Sequence, residues 1–229
     1  MKIIGLLGGM SWQSSAEYYR LLNEAIQARL GGHNNARTLM FTVNFQEIEA
    51  SMRDGDWDRV AAQVSDAAHK LEAGGADFVL LCTNTIHKVA GAIEAAISIP
   101  FVNLIDVTAQ AIQVQGCHTV GLLGTSFTME QEFYRARLES HGLSVLIPHP
   151  PDCALIHRVI FEELCHGEIR EASRVDFQRI TDELRQRGAE GVILGCTELP
   201  MLLQPEHSSL PVFNTTKIHV DAAVALCLP

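Results

Sequence analysis

The chain repeats itself. Gly5-Leu6-Leu7-Gly8 recurs as Gly121-Leu122-Leu123-Gly124, and Asp54-Gly55-Asp56 has a counterpart in His166-Gly167-Glu168. Gly75-Ala76-Asp77-Phe78-Val79-Leu80-Leu81 matches Gly188-Ala189-Glu190-Gly191-Val192-Ile193-Leu194, and Pro100-Phe101-Val102-Asn103 matches Pro211-Val212-Phe213-Asn214. Each match is offset by roughly 110 residues and their order is kept, which chance does not readily produce four times over. The chain is therefore expected to fold as two similar lobes related by a pseudo-two-fold axis.

Within each lobe short apolar runs alternate with helix-length amphipathic stretches. Lys2–Leu7, Thr38–Phe45, Asp77–Cys82 and Pro100–Asn103 read as strands in the first half. Thr119–Leu123, Ser144–Ile147, Glu190–Leu194 and Val212–Phe213 read as strands in the second. Tyr18, Leu21, Leu22, Ala25 and Ile26 make one helical stripe, and Trp57, Val60, Val64, Ala67 and Leu71 another. Gly31-Gly32 and Gly74-Gly75 follow them as helix stops. Thr128 with Gln131 three residues on predicts a capping box for the helix that carries Phe133 and Leu138. Strands alternating with helices imply parallel sheets covered on both faces, an α/β fold.

Composition narrows the function. Of 229 residues 47% are hydrophobic, and 17 Lys plus Arg against 27 Asp plus Glu give a net charge of −10. An acidic chain without a basic cluster has no electrostatic reason to hold a nucleic-acid backbone. The first apolar run ends in glycines well short of ~20 residues, so it reads as a buried strand and not as a signal peptide or membrane span. Cys82, Cys117, Cys153, Cys165, Cys196 and Cys227 show no CxxC spacing, which fits free thiols in a reducing cytoplasm. No His spacing suggests a metal site, and none of Lys2, Lys70, Lys88 and Lys217 sits in a pyridoxal-phosphate setting, so no cofactor is implied.

Ligands of open parallel sheets bind outside the carboxyl ends of the strands. The repeat aligns Cys82-Thr83-Asn84-Thr85 with Gly195-Cys196-Thr197-Glu198 at such ends, so Thr83 is expected to face Cys196 across one ligand in a cleft. Cys196 is the candidate reactive thiol, with backbone N–H groups at the turn expected to favour a thiolate. Cys82 should point the other way along its strand and pack. Asn84, Thr85 and Thr197 supply short donors suited to a carboxylate, but helix caps use the same residues, and both readings stand. Glu198 could accept from an α-ammonium group, orient a base, or be a solvent-facing acid at a helix start. His87 could support the Thr83 loop, cap a helix or lie at the surface. Gly8-Gly9-Met10-Ser11 fits no nucleotide motif; its glycines are read as letting the backbone approach a small ligand, which brings Met10 beside it. The helices Gln46–Arg53 and Ala154–Leu164 should end near the cleft, placing Met52 and Glu163 at equivalent positions around a substrate side chain.

The motifs Gly5-Leu6-Leu7-Gly8-Gly9-Met10-Ser11, Cys82-Thr83-Asn84-Thr85-Ile86-His87 and Gly195-Cys196-Thr197-Glu198 resemble the aspartate/glutamate racemase superfamily, aspartate-racemase-like branch, over essentially the whole chain. The resemblance implies a two-lobed fold, with residues 1–103 and 211–229 in one lobe, 104–210 in the other, and the active site between them. It also implies a cytoplasmic homodimer that interconverts amino-acid enantiomers without a cofactor, using one cysteine on each face of Cα. Here the first cysteine position is Thr83. A hydroxyl is a far weaker acid than a thiol of pKa ~8.5 and cannot serve as a resting base near neutrality. The resemblance then implies a Thr/Cys pair: Cys196 deprotonates an L-amino acid and Thr83, with or without a water, returns a proton from the other face. L-Aspartate or L-glutamate is the expected substrate. A broad-range or neutral amino-acid racemase, a one-cysteine decarboxylase or isomerase, and an amino-acid-binding protein are the competing expectations.

Overall fold

The computed structural model describes residues 1–228. The first half runs β1 (Ile4–Gly8), α1 (Trp12–Leu30), β2 (Thr38–Thr42), α2 (Phe45–Arg53), α3 (Trp57–Ala73), β3 (Phe78–Leu81), α4 (Ala90–Ala96) and β4 (Phe101–Val102). A 3-10 turn, Thr85–Val89, links β3 to α4. The second half runs α5 (Leu104–Val114), β5 (Thr119–Gly124), α6 (Ser126–Glu130), α7 (Glu132–Ser140), β6 (Ser144–Leu146), α8 (Pro150–Glu162), α9 (Glu171–Gln186), β7 (Gly191–Gly195), α10 (Leu199–Leu202), β8 (Val212–Asn214) and α11 (Thr215–Cys227). All eight expected strands form, their ends shifted by a residue or two except at β2, which stops at Thr42, short of the expected Phe45.

The strands make two four-stranded parallel sheets of the same topology, β2-β1-β3-β4 and β6-β5-β7-β8. The repeat extends to backbone conformation. Gly55 and Gly167, its counterpart, have φ of 74° and 76°, and Gly75 and Gly188 have 94° and 99°. A left-handed residue at each of these turns is tolerated by glycine and strained for anything with a Cβ.

Contacts divide the chain into two compact units, Met1–Leu104 with the chain from His219 onward, and Ile105–Ile218. The expected return of the chain to the first unit at residue 211 is thus late: β8 pairs with β7 (Val192 with Val212, Leu194 with Asn214), and the crossing falls inside α11. The repeat had already paired Pro211–Asn214 with Pro100–Asn103, and β8 is to its sheet what β4 is to the other.

Each unit has its own core. In the first, Leu7, Val79 and Leu81 pack against Val60, Val64 and Ala67 of α3, and the alternate residues Ile4, Leu6 and Leu80 are equally inaccessible. In the second, Leu123, Val192 and Leu194 pack against Ile156, Val159, Phe177 and Ile180 of α8 and α9, with Val120, Leu122 and Ile193 buried on the other face. Strands covered on both faces read as unbroken apolar runs, which is why they stood out in the sequence. The α1 and α3 stripes bury Tyr18, Leu22 and Ile26, and Val60, Val64, Ala67 and Leu71.

The capping box is not formed. Thr128 lies inside α6, its N–H on the Thr125 carbonyl, and its hydroxyl meets that of Thr125 at 3.3 Å. The residue preceding α7 is Gln131, with no side-chain cap. An extra turn of helix has taken up the threonine that was to do the capping.

Candidate active site

In the first unit the chain leaves β3 at Leu81, which pairs with Leu7 of β1. In the second it leaves β7 beyond Leu194, which pairs with Leu123 of β5. Counting on from these equivalent residues, Thr83 and Cys196 hold the same place relative to their own sheets. Both are half-buried at a carboxyl strand end.

The Thr83 loop is held by its carbonyls. Ser14 Oγ, in the first turn of α1, donates to the Cys82 carbonyl at 2.6 Å, and His87 Nδ1 lies 2.8 Å from the Thr83 carbonyl. Cys82 itself is fully buried and desolvation pushes its thiol far above the ordinary range, so it packs, as its strand parity suggested. Asn84 is buried and Thr85 half-buried at the start of the 3-10 turn. Lys88, in the same turn, stands 3.9 Å over the Trp57 ring, and burial lowers its pKa. It is a cation near this loop to which the sequence assigned no place at the site.

Two predicted neighbours turn inward. Met10 is 4% exposed and belongs to the hydrophobic core, while Met52 is half-buried against that core. Gly9 has φ of +96°, and a Cβ there would lie 2.3 Å from the Val43 carbonyl oxygen. A Cβ on Gly8 would lie 2.5 Å from Ser15 Oγ, the group that accepts the Gly9 N–H at 2.8 Å. At these glycines β1 closes onto Ser15 of α1 and onto the Val43 backbone.

The Cys196 loop carries a carboxylate on its thiol. Cys196 Sγ donates to Glu198 Oε2 at 2.9 Å, and Thr197 Oγ1 donates to the same oxygen at 2.7 Å. Burial first, then the Glu198 charge and hydrogen bond, hold the Cys196 thiol well above its ordinary pKa. The expected favoured thiolate is therefore corrected; at rest the group is a thiol with a proton acceptor against it. The same carboxylate, after burial, helps push Cys165 up to about 11, so Cys165 also lies within reach of this charge. Nothing in the sequence singled it out.

Glu163 is 5% exposed, with Ser173 Oγ donating to it at 2.6 Å and Arg170 Nη1 at 3.5 Å. Its carboxylate braces the α8–α9 connection. Among the described residues no three His, Cys, Asp or Glu side chains gather as a metal site, and no helix is long and apolar enough to cross a membrane.

A structure from Yersinia pestis, provisionally assigned as an Asp/Glu racemase, superposes with a TM-score of 0.95 at 46% identity over all of both chains. An aspartate racemase homologue from Pyrococcus horikoshii OT3 does so with 0.90 at 32% identity over 99% of each. The broad-specificity amino-acid racemase of Bacillus subtilis is 24% identical over 99% of this chain and 98% of its own length. The model of the Asp/Glu/hydantoin racemases matches residues 7–223, and the chain belongs to that family.

Proposed function

We propose that the chain is a cofactor-independent amino-acid racemase in which Cys196 and Thr83 serve the two faces of one substrate α-carbon, with L-aspartate or L-glutamate as substrate. The observation that carries this is the equivalence of the two positions in their separate sheets, together with a proton acceptor, Glu198, already on the thiol.

The proton accounting starts from the resting thiol. Cys196 gives its proton to Glu198 or to solvent, and the thiolate removes the α-proton of the L-amino acid. The electron pair left on carbon is delocalised into the substrate carboxylate, and the protonated α-ammonium group beside it eases the first step by favouring a nearby anion. Thr83, through its hydroxyl or a water held by it, delivers a proton to the opposite face, and bulk water restores that hydroxyl. Reversal starts from the threonine side, where no resting base exists. L and D substrates are therefore not handled alike, although the Haldane relation still ties their kcat/KM values together.

A second reading concerns breadth. A full-length relative, 24% identical, is a broad-specificity amino-acid racemase, which favours a wider substrate range. A chiral-column assay over a panel of L-amino acids, with the Cys196→Ser variant beside wild type, tests both. D-Aspartate or D-glutamate formed by wild type and not by the variant is expected. Turnover of neutral substrates with none of the acidic ones would replace the substrate assignment, and no racemisation of any would remove the function.

A further inference from the structure

Behind Thr83 lies a buried polar chain whose proton positions the backbone dictates. The Leu104 N–H can only donate, and it points to His87 Nε2 at 3.1 Å. That nitrogen must then hold a lone pair, so the proton of the neutral ring sits on Nδ1 and is donated to the Thr83 carbonyl at 2.8 Å. The Val102 carbonyl can only accept, so His219 Nε2, 2.8 Å away, carries the proton of its own ring. His219 Nδ1 is left to accept from the Tyr18 hydroxyl at 2.8 Å. His219 is fully buried, and burial first, then the neighbouring His87, push its pKa down to about 3, which keeps it neutral. The His87 and His219 rings stand edge to face, 6.1 Å between centroids. His87 is 4% exposed. A buried imidazole with both nitrogens engaged, one on the Thr83 carbonyl, has more order than a helix cap or a surface histidine needs.

We propose that His87 is a positioning residue for Thr83: it fixes the Thr83 carbonyl, and so the orientation of the hydroxyl that returns the proton, while the Leu104 N–H fixes the tautomer that lets it do so. The proposal rests on Thr83 working as the proposed function has it. His87 touches no reacting atom; it acts through the backbone of the residue that does. Its loss should harm the threonine face alone, because Cys196 stands in the other compact unit.

The test separates the two faces. In heavy water, the thiol formed when Cys196 takes the α-proton passes that proton through Glu198 to solvent, takes up deuterium and returns it to the same face of the L-substrate, whereas racemisation also needs Thr83. His87→Asn keeps a donor at the place of Nδ1, and His87→Gln keeps only a group at the place of Nε2. His87→Leu keeps neither. In Gln and Leu variants racemisation should fall about 100-fold, while α-deuterium exchange into L-substrate stays within about twofold of wild type. Asn should racemise close to wild type. The ratio of exchange to racemisation is internal to each sample, so partial misfolding does not shift it. Exchange and racemisation falling together, or Gln behaving like Asn, would overturn the role of His87. Thr83→Ala run alongside should show the same split; if it racemises like wild type, the Thr83 reading fails instead, whatever His87 does.

Discussion

The thiol of Cys196 keeps its proton at rest because burial and the Glu198 carboxylate both penalise a thiolate. In the proposed mechanism the thiolate removes the L α-proton, and a raised pKa then means the rate climbs with pH further than an ordinary thiol of pKa ~8.5 would allow. The L-to-D kcat/KM should therefore still be rising above that pH. In Glu198→Gln the charge is gone, and the rising limb should move to lower pH, read both from the pH–rate profile and from thiolate absorbance. A limb that stays put would deny Glu198 its hold on the sulfur. Close contacts of this kind were not legible in the sequence. Gly195-Cys196-Thr197-Glu198 was read as a turn that would stabilise a thiolate, and burial of the sulfur, with the Glu198 carboxylate turned onto it, reverses the sign. His87 was equally open, since a ring four residues beyond Thr83 says nothing of which nitrogen meets which backbone group. The glycines illustrate the converse. Gly9 stood out, but its use is close approach to Val43, and Gly9→Ala should lower the melting temperature whether or not substrate is present.

Elements are where the sequence was most informative. Buried parallel strands announced themselves as apolar runs, and the repeated Gly-Leu-Leu-Gly and Gly-Ala-Asp/Glu segments matched strands of one half to strands of the other. What failed was local and polar: Thr128 looked like a cap until an extra helical turn absorbed it. Tertiary ion pairs were likewise invisible. Asp106 on α5 accepts both Arg137 guanidinium bonds at 2.6 Å and meets His141 Nε2 at 2.9 Å, tying α5 to α7. The Arg137 hydrogen bonds first, then His141, hold the Asp106 carboxyl below its ordinary pKa of 3.8. With its folded pKa depressed, the group stabilises the fold above the unfolded value, and that contribution is lost as pH falls through the folded one. Asp106→Asn should cost about 1–2 kcal/mol near neutrality and nothing at pH low enough to protonate the native carboxyl, measured by urea unfolding at both. At α2, Asn44 Oδ1 accepts the Gln46 N–H at 3.2 Å as an N-cap. Asn44→Ala should cost about 1 kcal/mol, with α2 fraying first in hydrogen exchange.

For the molecule as a whole, duplication explains more than any single motif. Two sheets of one topology, with matching left-handed glycines, hold Thr83 and Cys196 at equivalent positions in their own sheets, where the two residues differ in acidity. Each unit carries its own core, so Phe177→Ala, in the second, should cost about 3–5 kcal/mol in chemical unfolding without altering the Thr83 loop of the first. The division of labour between a thiol and a hydroxyl is the claim on which the functional account stands. It is tested most directly by following α-deuterium into L- and D-aspartate separately in heavy water at early times, before either pool has racemised. The account predicts rapid wash-in to L-aspartate with the configuration retained, and no comparable retention-exchange in D-aspartate. Equal wash-in to both enantiomers would contradict it, because it would require a base on the threonine face as capable as Cys196.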